Sequence, residues 1–190
     1  PAGVAIAKRL PSTSDPCGLL RYQVEQNDRE YQAVGKVDLN LTSNHTMFVR
    51  YINTSRKRDA GFANSPDNVL TADSPGLVQP AHTVTVGDTV VMGNSAVNGI
   101  RVAYNRNFLT RAPLPYFQNS DVGIKAYNYS PVAEMALSVA DGFDLGGGGS
   151  ATGTFNTQAW EVADDFTVVR GSHQMSLGGN LSRWMSDQNS

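Results

Sequence analysis

The sequence predicts an all-β fold: an antiparallel transmembrane β-barrel segment of about six long strands, part of a larger barrel. Three observations carry this. Extended stretches alternate apolar and polar side chains with period two. They are long, about 9–11 residues or more, the length a tilted strand needs to cross a bilayer, against about 5–6 in a globular strand. Polar turns of four residues alternate with long excursions over 55–81 and 110–154, and membrane barrels have short turns on one side and long loops on the other.

Taken in order, residues 3–10 read as a short helix stopped by Pro11, and 11–30 as a loop dense in turn formers. The first strand, 31–41, sends Tyr31, Ala33, Gly35, Val37, Leu39 and Leu41 to one face and Gln32, Lys36, Asp38 and Asn40 to the other. Thr42-Ser43-Asn44-His45 turns the chain into a partner at about 46–54, where Met47, Val49 and Tyr51 share a face. A third strand, about 83–92, aligns Val84, Val86, Val90 and Met92. Gly93-Asn94-Ser95-Ala96 leads to a fourth, about 97–108, aligning Ile100, Val102, Tyr104 and Phe108. A fifth, about 155–169, aligns Trp160, Val162, Phe166 and Val168. Arg170-Gly171-Ser172-His173 leads to the sixth, about 174–184, with Met175, Leu177, Gly179 and Leu181 together. Asp88 and Asp164 fall on apolar faces. Either they sit near the membrane interface or a β-bulge shifts the phase there. Within 110–154, Glu134–Val139 and Gly142–Leu145 suggest a small hairpin, and the run Gly146–Ser150 reads as native chain.

Composition narrows the classes. With 190 residues and a net charge of −2, the chain has no electrostatic footprint for nucleic acid. No apolar run approaches the length of a membrane helix of about 18 residues. A single cysteine, Cys17, excludes an internal disulfide and a cysteine metal cluster. Six strands are fewer than the roughly eight of the smallest closed membrane barrel, and an open sheet edge in lipid leaves backbone groups unpaired. The chain is therefore expected to be an internal fragment, completed by further strands of its parent. Residues 1–30 and the two long connections are expected to face outward, with the tight turns in the periplasm.

No catalytic, cofactor or metal site is expected. His45, His82 and His173 are dispersed, with no spacing that converges on a metal. Gly-x-Ser-x-Gly is absent, and Asp164 and Asp165 point to opposite faces of one strand. Asp141 and Asp144 supply too few oxygens for a calcium argument. Asn-x-Ser/Thr sequons begin at Asn40, Asn44, Asn53, Asn128 and Asn180; several lie inside strands or tight turns, and they are discounted as chance triplets of an Asn/Ser/Thr-rich chain. Lys36, Asp38, Arg50 and Arg101 are candidate lumen-facing residues, expected mainly to pair with one another. Arg56, Lys57 and Arg58 form a basic cluster just past a strand end, either a solvated tip or a contact for lipid phosphates. Tyr51, Tyr104, Trp160 and Trp184 are candidates for interfacial aromatic girdles.

Several motifs occur in a telling order: Glu30-Tyr31-Gln32-Ala33-Val34-Gly35-Lys36-Val37-Asp38, Ser43-Asn44-His45-Thr46-Met47-Phe48-Val49-Arg50-Tyr51, Val86-Gly87-Asp88-Thr89 and Asn98-Gly99-Ile100-Arg101-Val102-Ala103-Tyr104-Asn105-Arg106. Gly153-Thr154-Phe155-Asn156-Thr157, Asp164-Asp165-Phe166, Val169-Arg170-Gly171-Ser172-His173-Gln174 and Leu177-Gly178-Gly179-Asn180 follow. From about residue 10 onward the series resembles the barrel of Oar-like TonB-dependent receptors, which carry a carboxypeptidase-regulatory-like domain ahead of the plug. The resemblance implies a Gram-negative outer-membrane barrel of twenty-two strands around a plug. Its implied partners are outer-membrane lipid, the plug and remaining strands of the parent, a TonB-type energy-coupling protein and an unknown bulky ligand. An alternative is a structural or adhesive surface barrel that moves no solute. A third is a soluble β-sandwich binding module.

Overall fold

A computed structural model of the chain describes residues 1–128, 132–146 and 152–189. Its centre is one six-stranded antiparallel sheet in which each strand pairs with its neighbours in chain order. The strands are β1 (Asp28–Thr42), β2 (His45–Arg58), β3 (Gly76–Met92), β4 (Ala96–Ala112), β7 (Gly153–Arg170) and β8 (His173–Asn189). Between β4 and β7, two short strands, β5 (Leu137–Ser138) and β6 (Asp144–Leu145), pair as the expected hairpin. A helix, α1 (Ala2–Ala7), opens the chain, and a one-turn helix, α2 (Gly61–Asn64), lies between β2 and β3. The six long strands form one layer, which is not the two packed sheets of a sandwich. The expected Gly146–Ser150 run lies, beyond Gly146, outside the described residues, as does part of the sequon at Asn128.

Every strand of the main sheet runs longer than its alternating stretch. β2 continues to Arg58, β3 begins at Gly76, β4 ends at Ala112 and β1 begins at Asp28. The long connections are thus 59–75 and 113–152, shorter than the expected 55–81 and 110–154. Main-chain ladder bonds need no side-chain alternation, so the sheet continues past the apolar band. A 17-residue strand rises about 54 Å, or about 42 Å along the normal at a 40° tilt, well beyond an apolar band of about 25 Å.

The tight turns reflect their residues. Thr42 pairs with His45, and Arg170 with His173, each around two loop residues. Gly93 (φ 58°) and Gly171 (φ 63°) occupy left-handed backbone that disfavours a side chain. Neighbouring turns are tied side by side. Val91 N–H donates to the Asn44 carbonyl at 2.8 Å, the Asn44 side-chain amide donates to the Val91 carbonyl at 3.0 Å, and Val169 N–H donates to the Ser95 carbonyl at 2.7 Å.

At the other end of the sheet, chain segments distant in sequence share a small core. Ile6 of α1, Val69, Phe117, Val122, Met135 and Leu145 are buried together, flanked by Leu10, Phe62, Tyr116, Ile124, Leu137 and Phe143.

Candidate functional site

Register divides the sheet into two faces without interruption from strand to strand. Directly paired residues project to the same side. One cross-sheet row reads Val37, Val49, Val86, Val102, Val162 and Leu181, one aliphatic side chain per strand. The next row toward the long connections reads Gly35, Tyr51, Val84, Tyr104, Trp160 and Arg183. On the turn side, Met92, Ala96, Val168 and Met175 form the last row. Trp160 is 48% exposed and Leu181 76%, so this large apolar surface has no protein cover. Water alone makes an uncovered patch of this size unfavourable. From Val84 to Met92, β3 climbs about 21 Å at a 40° tilt, close to the hydrocarbon-facing height of membrane barrels.

The opposite face is polar. A typical row reads Lys36, Arg50, Thr85, Ala103, Glu161 and Ser182. A single-layer sheet with one apolar and one polar face, short turns at one end and long connections at the other is the wall of a membrane barrel. A family model described as an outer membrane beta barrel domain matches residues 1–190.

The chain belongs to the outer membrane β-barrel domain family. It is accordingly an outer-membrane protein. No curated protein matches it. No described helix is long and apolar enough to cross a membrane.

Within this barrel domain the two irregular carboxylates keep their register. Asp88 pairs with Ile100, and Ile100 with Asp164, and no bulge intervenes. Both therefore stay on the apolar face, and each has a partner. Asp88 Oδ1 lies 2.6 Å from His45 Nε2, and Asp164 Oδ1 accepts from Asn98 Nδ2 at 3.0 Å. Local pairing removes much of the cost of a carboxylate in apolar surroundings.

Lys36, Asp38, Arg50 and Arg101 all lie on the polar face. Lys36 Nζ is 2.6 Å from Asp38 and 5.1 Å above the Phe48 ring. Arg101 is 3.5 Å from Asp165. Arg50, registered between Lys36 and Thr85, has no ion pair among the described residues. The same face shows how aromatic bulk is accommodated. Phe48 lies over Gly87, where a Cβ would collide with its ring, and the Asp165 carboxylate lies over Gly178 in the same way.

The basic cluster departs from expectation. Arg56, Lys57 and Arg58 are the last three residues of β2, not residues past its end, so successive side chains alternate between faces. Arg56 Nε donates to Asp28 at 2.9 Å, and Lys57 is 3.9 Å from Asp59. A single cationic tip is not formed, because the ladder of β1 and β3 holds these residues extended.

Tyr51, Tyr104 and Trp160 stand in one row, with the Tyr104 and Trp160 rings 4.4 Å apart. Trp184 is not brought to them. It pairs with Ala159 and projects to the polar face. Its even position against odd Leu181 carried that signal in the sequence.

Sequence reasoning missed the core at the long-connection end. Tyr116 hydroxyl donates to the Met135 carbonyl and accepts from the Met135 N–H at 3.1 Å. Desolvation, chiefly, pushes the Tyr116 phenol up to about 12. Arg9 sits 5.1 Å over the Phe117 ring and donates to the Asp121 carbonyl at 3.1 Å, binding the N-terminal segment to the 113–146 connection. Apolar residues in a predicted loop, such as Val69-Leu70 and Tyr116-Phe117, were the available signal. Chemically these groups can pack and hydrogen-bond, and among the described residues no cluster of metal-ligating side chains forms.

Proposed function

We propose that this domain is a wall segment of a TonB-dependent outer-membrane receptor that imports a bulky nutrient. Its apolar face would meet lipid, with Tyr51, Tyr104 and Trp160 at the headgroup level. The polar face carrying Lys36, Asp38, Arg50 and Arg101 would meet a plug in the lumen. Among the described residues β1 and β8 each pair on one side only, so the remaining strands of the parent would complete the barrel. Support for receptor type comes from the ordered motif series between residues 30 and 180.

The observation that carries ligand capture is the shared core at the end away from the tight turns. Segments around residues 6, 69, 117 and 145 form an ordered cap there instead of separate loops. A preformed cap presents a surface at lower entropic cost than mobile loops. Capture by this cap would be followed by plug rearrangement driven through the inner membrane.

The test is whether the parent binds the periplasmic domain of a TonB-type protein. Co-purification that disappears when the region ahead of residue 1 is removed is the expected result. A parent without a plug and TonB box, failing to co-purify, is instead a surface barrel that binds and does not transport.

A further inference from the structure

The rim of the apolar face carries cations that no carboxylate neutralises among the described residues. Arg106 of β4 pairs directly with His82 of β3, one row beyond the aromatic row of Tyr51, Tyr104 and Trp160. Arg183 of β8 stands opposite Trp160, within that row. All three project to the apolar face. Arg106 contacts only a neutral acceptor, Asn156 Oδ1 at 3.2 Å, and Arg183 has no hydrogen bond or ion pair among the described residues. Asp187, across from Asn156, forms no ion pair with either. By contrast, Arg29, Lys36, Arg56, Lys57 and Arg101 each have a carboxylate within 4.0 Å.

His82 adds a directed donor. Its Nδ1 lies 2.8 Å from the Tyr51 hydroxyl and 3.1 Å from Asn53 Nδ2. The amide nitrogen can only donate, so Nδ1 accepts and the ring proton rests on Nε2. That N–H and the Arg106 guanidinium sit on one cross-strand pair. Both are donors, and the surroundings just below are apolar and aromatic. Donors in this setting suit the acceptor oxygens of a phosphate whose attached chains run along the apolar wall.

We propose that His82, Arg106 and Arg183 bind the phosphate of an anionic lipid in the outer leaflet. The site rests on the proposed placement of the apolar face against lipid and is independent of transport. It differs from the basic cluster at the end of β2, whose Arg56 and Lys57 are already engaged by Asp28 and Asp59. Free inorganic phosphate offers the same oxygens, but it has no use for the aromatic row and apolar band beneath.

The test uses the complete parent protein in detergent, with phosphatidylglycerol as probe and retention read by native mass spectrometry. Arg106→Gln with Arg183→Gln should lower retention by about fivefold per arginine removed. Arg101→Gln, on the opposite face, should leave it unchanged. Folding is checked by heat-dependent gel mobility. If the glutamine pair does not fold, the single variants Arg106→Gln and Arg183→Gln decide, each expected to lower retention about fivefold, and unchanged retention in both overturns the site. Unchanged retention in the folded glutamine variant overturns the site, as does an equal loss in Arg101→Gln. Displacement of the lipid by excess inorganic phosphate overturns the lipid assignment. The difference in quenching by brominated acyl chains between the parent and its Trp160→Phe variant reports Trp160 alone and tests the wall placement separately. Quenching without a retention effect overturns the site alone, and no quenching overturns both.

Discussion

The Phe48 ring covers Gly87 across the β2–β3 pair, on the polar face, with the Lys36 ammonium above it. An aromatic ring laid on a glycine protects backbone hydrogen bonds and pins register in a sheet that has no second layer. Gly87→Val would drive a side chain into that ring. We expect a loss of about 1–3 kcal/mol of barrel stability, measured by urea unfolding of the parent in detergent. Phe48→Ala in the same background should recover part of it, because it removes the clash.

The His45–Asp88 pair predicts a sign reversal. His45→Ala strands a carboxylate on the apolar face, at a cost of about 1–3 kcal/mol. His45→Leu with Asp88→Leu removes both polar groups and should be near neutral or stabilising. Unfolding midpoints of the two variants would settle it, and equal destabilisation in both would show that the pair has another role.

Leu145 is completely buried in the cap core. Leu145→Ala should cost the cap about 2–5 kcal/mol while leaving the strand ladder intact. Limited proteolysis is the readout. Cleavage within 113–146 should accelerate severalfold, with heat-dependent gel mobility of the barrel unchanged.

Tyr116 makes the cap alkali-sensitive. Its phenol is held above the ordinary 10.0, at about 12, so the folded cap keeps a proton that the unfolded cap releases. The contribution is fully present below pH about 10 and is lost as pH rises toward 12. Protease resistance of the cap should fall across that window. Tyr116→Phe should flatten the fall and cost about 1 kcal/mol at neutral pH, since the two bonds to Met135 are lost.

The six strands were readable because alternation at residues such as Val37, Leu39, Val84 and Val86 is written locally. Their ends were not. Ser55-Arg56-Lys57-Arg58 carries no alternation, and only the ladder to β1 and β3 makes it strand. The facing of Asp88 and Asp164 stayed open for a related reason: a bulge leaves no reliable mark in side-chain pattern, whereas register shows at once that none is present. The polar-face candidates Lys36, Asp38, Arg50 and Arg101 could be grouped by parity alone. Their actual partners, Asp38 for Lys36 and Asp165 for Arg101, depend on cross-strand distance.

By itself, the order of residues determined an antiparallel two-faced sheet, its tight turns at Gly93 and Gly171, and its place in a membrane. These follow from period-two side-chain projection and from backbone angles that glycine tolerates. Only the tertiary structure decided that α1, the 59–75 connection and the 113–146 connection share one core, and that His82 and Arg106 meet at the rim. Ile6 and Leu145 lie 139 positions apart in the sequence, and no local rule of chain geometry brings such residues together. The register of the whole sheet sets where the strands end, and that places those connections at one end of the wall, where they share a core.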